Sequence, residues 1–251
     1  MNIEKWIIAH FSPTGGTKKV ADAIAAGFGT PIGEMDLTRA DLCVTLGEKD
    51  GLMAVLPVYG GRVPQIALER LGAIKAHGQK AIAVVVYGNR DYDDALLETK
   101  DALEYNGFRV IAAAAFLAEH SLVRSIAAGR PDGQDEVLCR QFAADVMAKA
   151  DDAVSVQVPG NNPYKEIKPS EFHPASDEAC VGCGICAASC PVGAIPPENP
   201  GQTRGDLCIN CMRCVEVCPR HCRALPAPFV AGATQMLTEK ASGYKTPAVF
   251  L

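Results

Sequence analysis

The sequence has no long apolar run: its longest, Val110 to Ala118 (VIAAAAFLA), is about half of what a membrane span needs. The N-terminal MNIEKWIIAHF lacks a basic region followed by a long apolar one. The expected location is therefore the cytoplasm, with no membrane span. An excess of positive charge is also missing, because 24 Lys and Arg stand against 29 Asp and Glu for a formal net charge of -5. Nucleic-acid binding shows itself as clustered Lys and Arg, so a polyanion partner is excluded and small molecules and other proteins are expected. Neither GxGxxG nor GxxxxGK[ST] occurs in the first Gly-rich loop, which argues against a dinucleotide or a nucleoside triphosphate there. No acid-base pair marks a catalytic site.

What is present is length and apolar content enough for a core. At 251 residues and 48% hydrophobic, the chain buries about three quarters of its unfolded surface as one large domain or two modest ones. Up to about residue 154, short β-rich runs alternate with amphipathic stretches, the pattern of parallel strands joined by crossover helices. Strands are expected at 6–11, 51–59, 80–88 and 109–118, with a weaker one at 31–38. Helices are expected at 17–27, 63–75, 93–105 and 135–151. Five strands with interleaved helices make a doubly wound α/β sheet. Between 156 and 175, four prolines and an Asn pair forbid a long helix or central strand, so a linker is expected. The expected division is 1–155, linker 156–175, a cysteine module 176–225, and a tail 226–251 with a short helix and an extended end that packs back on a domain.

Eleven cysteines are present, and eight of them form two tight runs. Cys180-x2-Cys183-x2-Cys186-x3-Cys190-Pro191 is answered by Cys208-x2-Cys211-x2-Cys214-x3-Cys218-Pro219. Structural zinc takes ligand pairs from two separated knuckles, whereas three cysteines at successive x2 spacing wrap three corners of one iron-sulfur cube. Two 4Fe-4S clusters are expected; a zinc-bearing interaction module is the weaker alternative. Gly182 and Gly184 let backbone N–H groups approach the sulfurs, and the second loop has Asn210 and Arg213 instead. Cys43, Cys139 and Cys222 stand apart and read as small buried or half-buried apolar side chains. The segment resembles bacterial two-cluster ferredoxins over about fifty residues. In that family the fourth cysteine of each run ligates the other cluster. The resemblance thus implies one cluster on Cys180, Cys183, Cys186 and Cys218 and another on Cys208, Cys211, Cys214 and Cys190.

FSPTGGTKK, residues 11–19, follows the first strand and opens the first helix, where backbone N–H groups and the helix dipole converge on an anion. A Gly-rich turn that binds nothing is the plainer account. The loop resembles the flavodoxin phosphate-binding signature [ST]-x-T-G-x-T, with Ser12, Thr14, Gly15 and Thr17 in the matching places and Gly16 beside them. That resemblance implies FMN. PVYGGRVP (57–64) and YGNRDYD (87–93) occupy the order in which flavodoxins grip the isoalloxazine ring, so Pro57, Tyr59, Gly60, Gly61, Gly88, Asn89, Asp91 and Tyr92 are implied as contacts. Asn89 departs from the pattern, since many flavodoxins place an aromatic residue there. Taken together, the chain resembles the fused flavodoxin-ferredoxin proteins, or ferrodoxins, across nearly all its length. A flavodoxin-like five-stranded parallel sheet with a small two-cluster ferredoxin-like α+β domain is implied. Residues 118–132 look like that family's insertion after the fifth strand, with Glu119, His120 and Arg124 as candidate contacts; a solvated loop is the plainer account. The expected function is electron transfer between the clusters, FMN and redox partner proteins. The alternative is a flavin-dependent reductase of a small substrate near His120 or Tyr92.

Overall fold

The computed structural model describes residues 3–41, 45–149, 154–168 and 170–251. Cys43 and the expected C-terminal end of the fourth helix at Asp151 lie outside the described residues. Five strands, β1 (Lys5–His10), β2 (Ile32–Asp36), β3 (Asp50–Pro57), β4 (Lys80–Tyr87) and β5 (Arg109–Leu117), pair in parallel in the order β2-β1-β3-β4-β5. This is the 2-1-3-4-5 order of flavodoxin-like sheets, with the winding reversing between β1 and β3. Successive residues point to opposite faces. Ile7, Ala9, Leu52, Ala54, Ala83 and Val85 pack on one side and Trp6, Ile8, Met53, Val55, Ile82 and Val84 on the other. Burial on both faces explains why these strands read as continuous apolar runs.

Helices α1 (Gly16–Ala25) and α4 (Gly133–Met147) contribute Val20, Ile24, Cys139 and Phe142 to the Trp6 face. Helices α2 (Gln65–Leu71) and α3 (Ala95–Tyr105) contribute Ala67, Leu71, Leu96 and Leu103 to the opposite face. Helix α2 is shorter than its apolar pattern suggests, because Pro64 opens it and Gly72 closes it. At the start of α4 a capping box pairs Asp132 with Asp135, and the buried Arg130 donates to Asp135 Oδ2 at 2.8 Å.

The sheet has a sixth strand. In the tail, α7 (Ala227–Ala241) leads to β8 (Ala248–Phe250), which pairs antiparallel with β5 and covers that edge. Tyr244 lies 4.3 Å from the Arg130 guanidinium, and Arg130 Nη1 donates to Lys245 O at 2.8 Å. Three residues of strand beyond a proline give too short a period-2 signal to register as a sheet partner. Residues 156–175 run across α3 rather than away from it. Asp94 accepts from Asn161 N at 2.8 Å and Lys165 N at 2.7 Å, and Arg62 donates to Lys165 O at 2.8 Å.

In the cysteine segment, β6 (Ala175–Ser176) and β7 (Arg223–Ala224) pair antiparallel and close its two ends together. Two single turns, α5 (Ile185–Ala188) and α6 (Arg213–Glu216), each carry the third cysteine of a run. Among the described residues, no helix is long and apolar enough to cross a membrane.

Candidate functional site

A cleft with about 840 Å³ of empty space, partly open to solvent, lies at the carboxyl ends of the parallel strands. Pro13, Thr14, Gly16 and Thr17 from the loop after β1 form one end, where the N-terminus of α1 supplies free backbone N–H groups. A Cβ on Gly16 would stand 3.2 Å from Ala118 Cβ, so close packing favours glycine there. Pro57, Tyr59 and Gly60 after β3, Gly88 after β4, and Glu119 and His120 after β5 form the walls. Burial pushes the Tyr59 phenol well up, with nearby Cys211 adding to it.

His120 rests on Gly88, where any Cβ would come within 2.5 Å of the imidazole. Its Nδ1 accepts from Leu122 N at 3.2 Å and Val123 N at 3.1 Å. Burial, then Arg90, lowers its pKa, so the ring is neutral with its proton on Nε2. Glu119 and Arg124 are turned toward each other, and Arg124 continues to Glu216 on α6. Beside the cleft, a second cavity of about 650 Å³ runs under α7, between Gly61, Asp91 and His120 on one side and Phe229, Ala233 and Met236 on the other.

Six expected contacts stand outside the cleft lining, and two of them, Gly61 and Asp91, line the second cavity. Ser12 Oγ accepts from Lys18 N at 2.9 Å and so caps the loop itself, and Gly15 serves as the left-handed residue before α1. Asn89 is turned into the tail, donating to Ala241 O at 2.5 Å and Gly243 O at 2.6 Å. Tyr92 packs edge-on against Tyr87, ring centroids 5.5 Å apart. Neither Asn89 nor Tyr92 lines the cleft, and the end of α7 that holds Asn89 lies too far along the chain to leave a local signature.

The eight run cysteines line two separate cavities. Cys180, Cys183, Cys186 and Cys218 line the first, and Cys190, Cys208, Cys211 and Cys214 the second. Among the described residues, no group of three or more His, Cys, Asp or Glu is placed to hold a single metal ion. Gly182, Gly184 and Gly193 take positive φ in the first copy, and Asn210, Met212 and His221 do so at the matching places of the second. Cys222, expected to be a packing residue, is buried but faces the first cavity, its sulfur 3.5 Å from that of Cys218. Cys139 is buried in the α4 face, where burial pushes its thiol up to about 12 and makes it inert. Two buried guanidinium Nε atoms, of Arg213 and Arg223, have no hydrogen-bond partner, and each belongs to a residue lining one cysteine cavity.

Ile209 and Asn210 line both the cleft and the second cysteine cavity. The first cavity shares no lining residue with the cleft. Ile209 packs on the sheet's core, Asn210 Nδ2 donates to Phe172 O at 2.9 Å, and Arg213 Nη1 donates to Pro13 O at 2.9 Å in the loop after β1. Arg70 on α2 donates to Pro191 O at 2.7 Å. Spacing alone does not reveal this wall, since it is a long-range contact between two modules.

Residues 179–223 match the model of a 4Fe-4S dicluster domain. Two uncharacterized ferredoxins of Methanocaldococcus jannaschii are similar, one 34% identical over 70 residues and the other 37% identical over 54. Those matches cover 25% and 20% of this chain and 46% and 30% of the relatives, so the chain spans less than half the length of the curated relatives it matches. A flavodoxin from the domain Archaea is 18% identical with a TM-score of 0.44, covering 57% of this chain and 96% of its own. The first oxidised flavodoxin of Bacillus cereus gives 18% and 0.43 with the same coverage. The strand order carries the flavodoxin-like assignment of the sheet, and the matched model carries the iron-sulfur character of the cysteine segment.

Proposed function

We propose that the protein is an electron-transfer flavoprotein in which FMN and two 4Fe-4S clusters serve redox partner proteins as donor and acceptor. The observation that carries this reading is the Ile209–Asn210 wall common to the cleft and the second cysteine cavity. When bound, the clusters supply single-electron exchange and the flavin exchange of one or two electrons. On this reading residues 1–155 are the flavin unit, 176–225 the cluster unit, and the tail 226–251 closes the sheet edge. Thr14, Gly16, Thr17 and the first N–H groups of α1 hold the phosphate. Tyr59, Gly60, Gly88 and His120 form the ring pocket, and Ile209 excludes water from its inner side. Cys190, Cys208, Cys211 and Cys214 hold the cluster behind that wall; Cys180, Cys183, Cys186 and Cys218 hold the outer one. The fusion keeps the two sites at high effective concentration without a docking step.

Titration of the flavin-free protein with FMN tests the phosphate site. Thr14→Ala combined with Thr17→Ala is expected to weaken binding at least tenfold, because hydroxyl donors to a charged group are lost. Unchanged affinity would reject the assignment.

A second reading, a flavin-dependent reductase of a small molecule, is favoured by the cavity under α7 that adjoins the cleft at Gly60 and His120. Neutral His120 then offers its Nε2–H as a hydrogen-bond donor to the acceptor. Turnover with a panel of small acceptors separates the two, since a pure carrier reduces none of them catalytically.

A further inference from the structure

We propose that Arg223 is a buried counter-charge set between the two clusters, a positioning residue that raises the reduction potential of both; this rests on the reading that the cysteine cavities hold 4Fe-4S clusters. Arg223 is only 2% exposed. Its guanidinium donates to Pro200 O at 2.5 Å, Pro174 O at 2.9 Å, Thr203 Oγ1 at 2.5 Å and Ser176 Oγ at 3.3 Å. Those partners are all neutral. It also approaches the Gln202 carbonyl and the Cys186 sulfur, the latter 3.9 Å from Nη1, and of its partners Ser176 and Pro200 line the first cavity while Pro174 and Thr203 line the second. Cys186 lines the first cavity and Cys214 the second. Nε is buried without a partner.

The repeat supplies an internal control. Ile195 holds the matching place in the first copy, is 3% exposed, and packs against the same Cys186 and Cys214. An apolar side chain therefore fills the twin position, and filling space does not require an arginine. A buried cation without an anion is costly, and the groups that could offset it here are the thiolates of the two sets. Adding one electron to a thiolate-ligated cube adds one negative charge, so a fixed cation beside it favours the reduced form.

The test compares wild type, Arg223→Gln and Arg223→Lys, each purified anaerobically as the full chain with FMN, by iron analysis and dithionite titration followed by EPR. Glutamine keeps hydrogen-bond donors and removes the charge; lysine keeps the charge. In Arg223→Gln both centres are expected to become harder to reduce by about tenfold in equilibrium constant, 59 mV for a one-electron couple, with Lys restoring most of it. Loss of iron in Arg223→Gln but not in Arg223→Lys would also support the charge. Unmoved potentials in iron-replete Arg223→Gln, movement of one centre alone, or equal loss of iron in both variants would overturn the proposal. If wild type itself lacks two four-iron signals, the cluster reading fails instead.

Discussion

Gly182, Gly184 and Gly193 in the first cysteine run, and Asn210, Met212 and His221 at the matching places in the second, all bend the chain through positive φ. The path is duplicated, yet the side chains face different surroundings. In the first run Val181 is 67% exposed and Ile185 43%. Their counterparts are Ile209, packed on the sheet's core, and Arg213, bonded to the loop after β1. Left-handed backbone costs a residue with a side chain about 1–2 kcal/mol, so glycine suits the run that faces solvent. In the second copy two of the three side chains are gripped, Met212 by burial and Asn210 by its bond to Phe172 O, whereas His221 is exposed. One copy of the repeat is a plain cluster loop, and the other is fitted to the cleft.

The strongest way to break this comparison is to mix the copies. The cavities divide the cysteines across runs, Cys190 with the second set and Cys218 with the first. In the double variant Cys190→Ser, Cys208→Ser, both losses should fall on one cluster, leaving about half the iron as one intact four-iron centre. Iron and sulfide analysis with Mössbauer spectroscopy reads this; equal damage to both centres would refute it.

A smaller effect separates the matched positions 181 and 209. Ile209→Ala should weaken FMN binding about tenfold, or 1.4 kcal/mol, as part of a buried apolar contact is lost. Val181→Ala should leave it unchanged. Flavin fluorescence titration measures both, and similar losses would mean that the shared wall does not touch the flavin.

The smallest effects concern backbone strain. Gly184→Ala should cost the iron-loaded protein about 1–2 kcal/mol from backbone conformation, because φ is +76°. Met212→Gly should stay within about 1 kcal/mol either way, relief of the same strain being offset by loss of a buried side chain. Denaturant unfolding under anaerobic conditions checks both. A large gain from Met212→Gly would show that the buried methionine contributes little.

The strands and the eight cysteines were legible because each depends on local pattern: apolar runs bounded by turn residues in one case, x2-x2-x3 spacing ending in proline in the other. Thr14, Gly16 and Thr17 were legible for the same reason, lying in one strand-to-helix loop. Asn89 was not, since its partners at Ala241 and Gly243 belong to a distant tail. Cys222 and Arg223 look unremarkable until the two runs are superposed, where they replace Ala194 and Ile195. The Ile209 wall depends on how two modules dock, which no periodicity encodes.

Iron-edge anomalous scattering from anaerobic crystals of the FMN-loaded protein tests the central claim, that the second cysteine cavity stands directly behind the flavin wall. The account predicts two four-iron peaks. The one nearer the flavin is bounded by Cys190, Cys208, Cys211 and Cys214 with Ile209 and Asn210 between, and the farther one by Cys180, Cys183, Cys186 and Cys218. Single-ion peaks, or a nearer peak bounded by the Cys180 set, would contradict it.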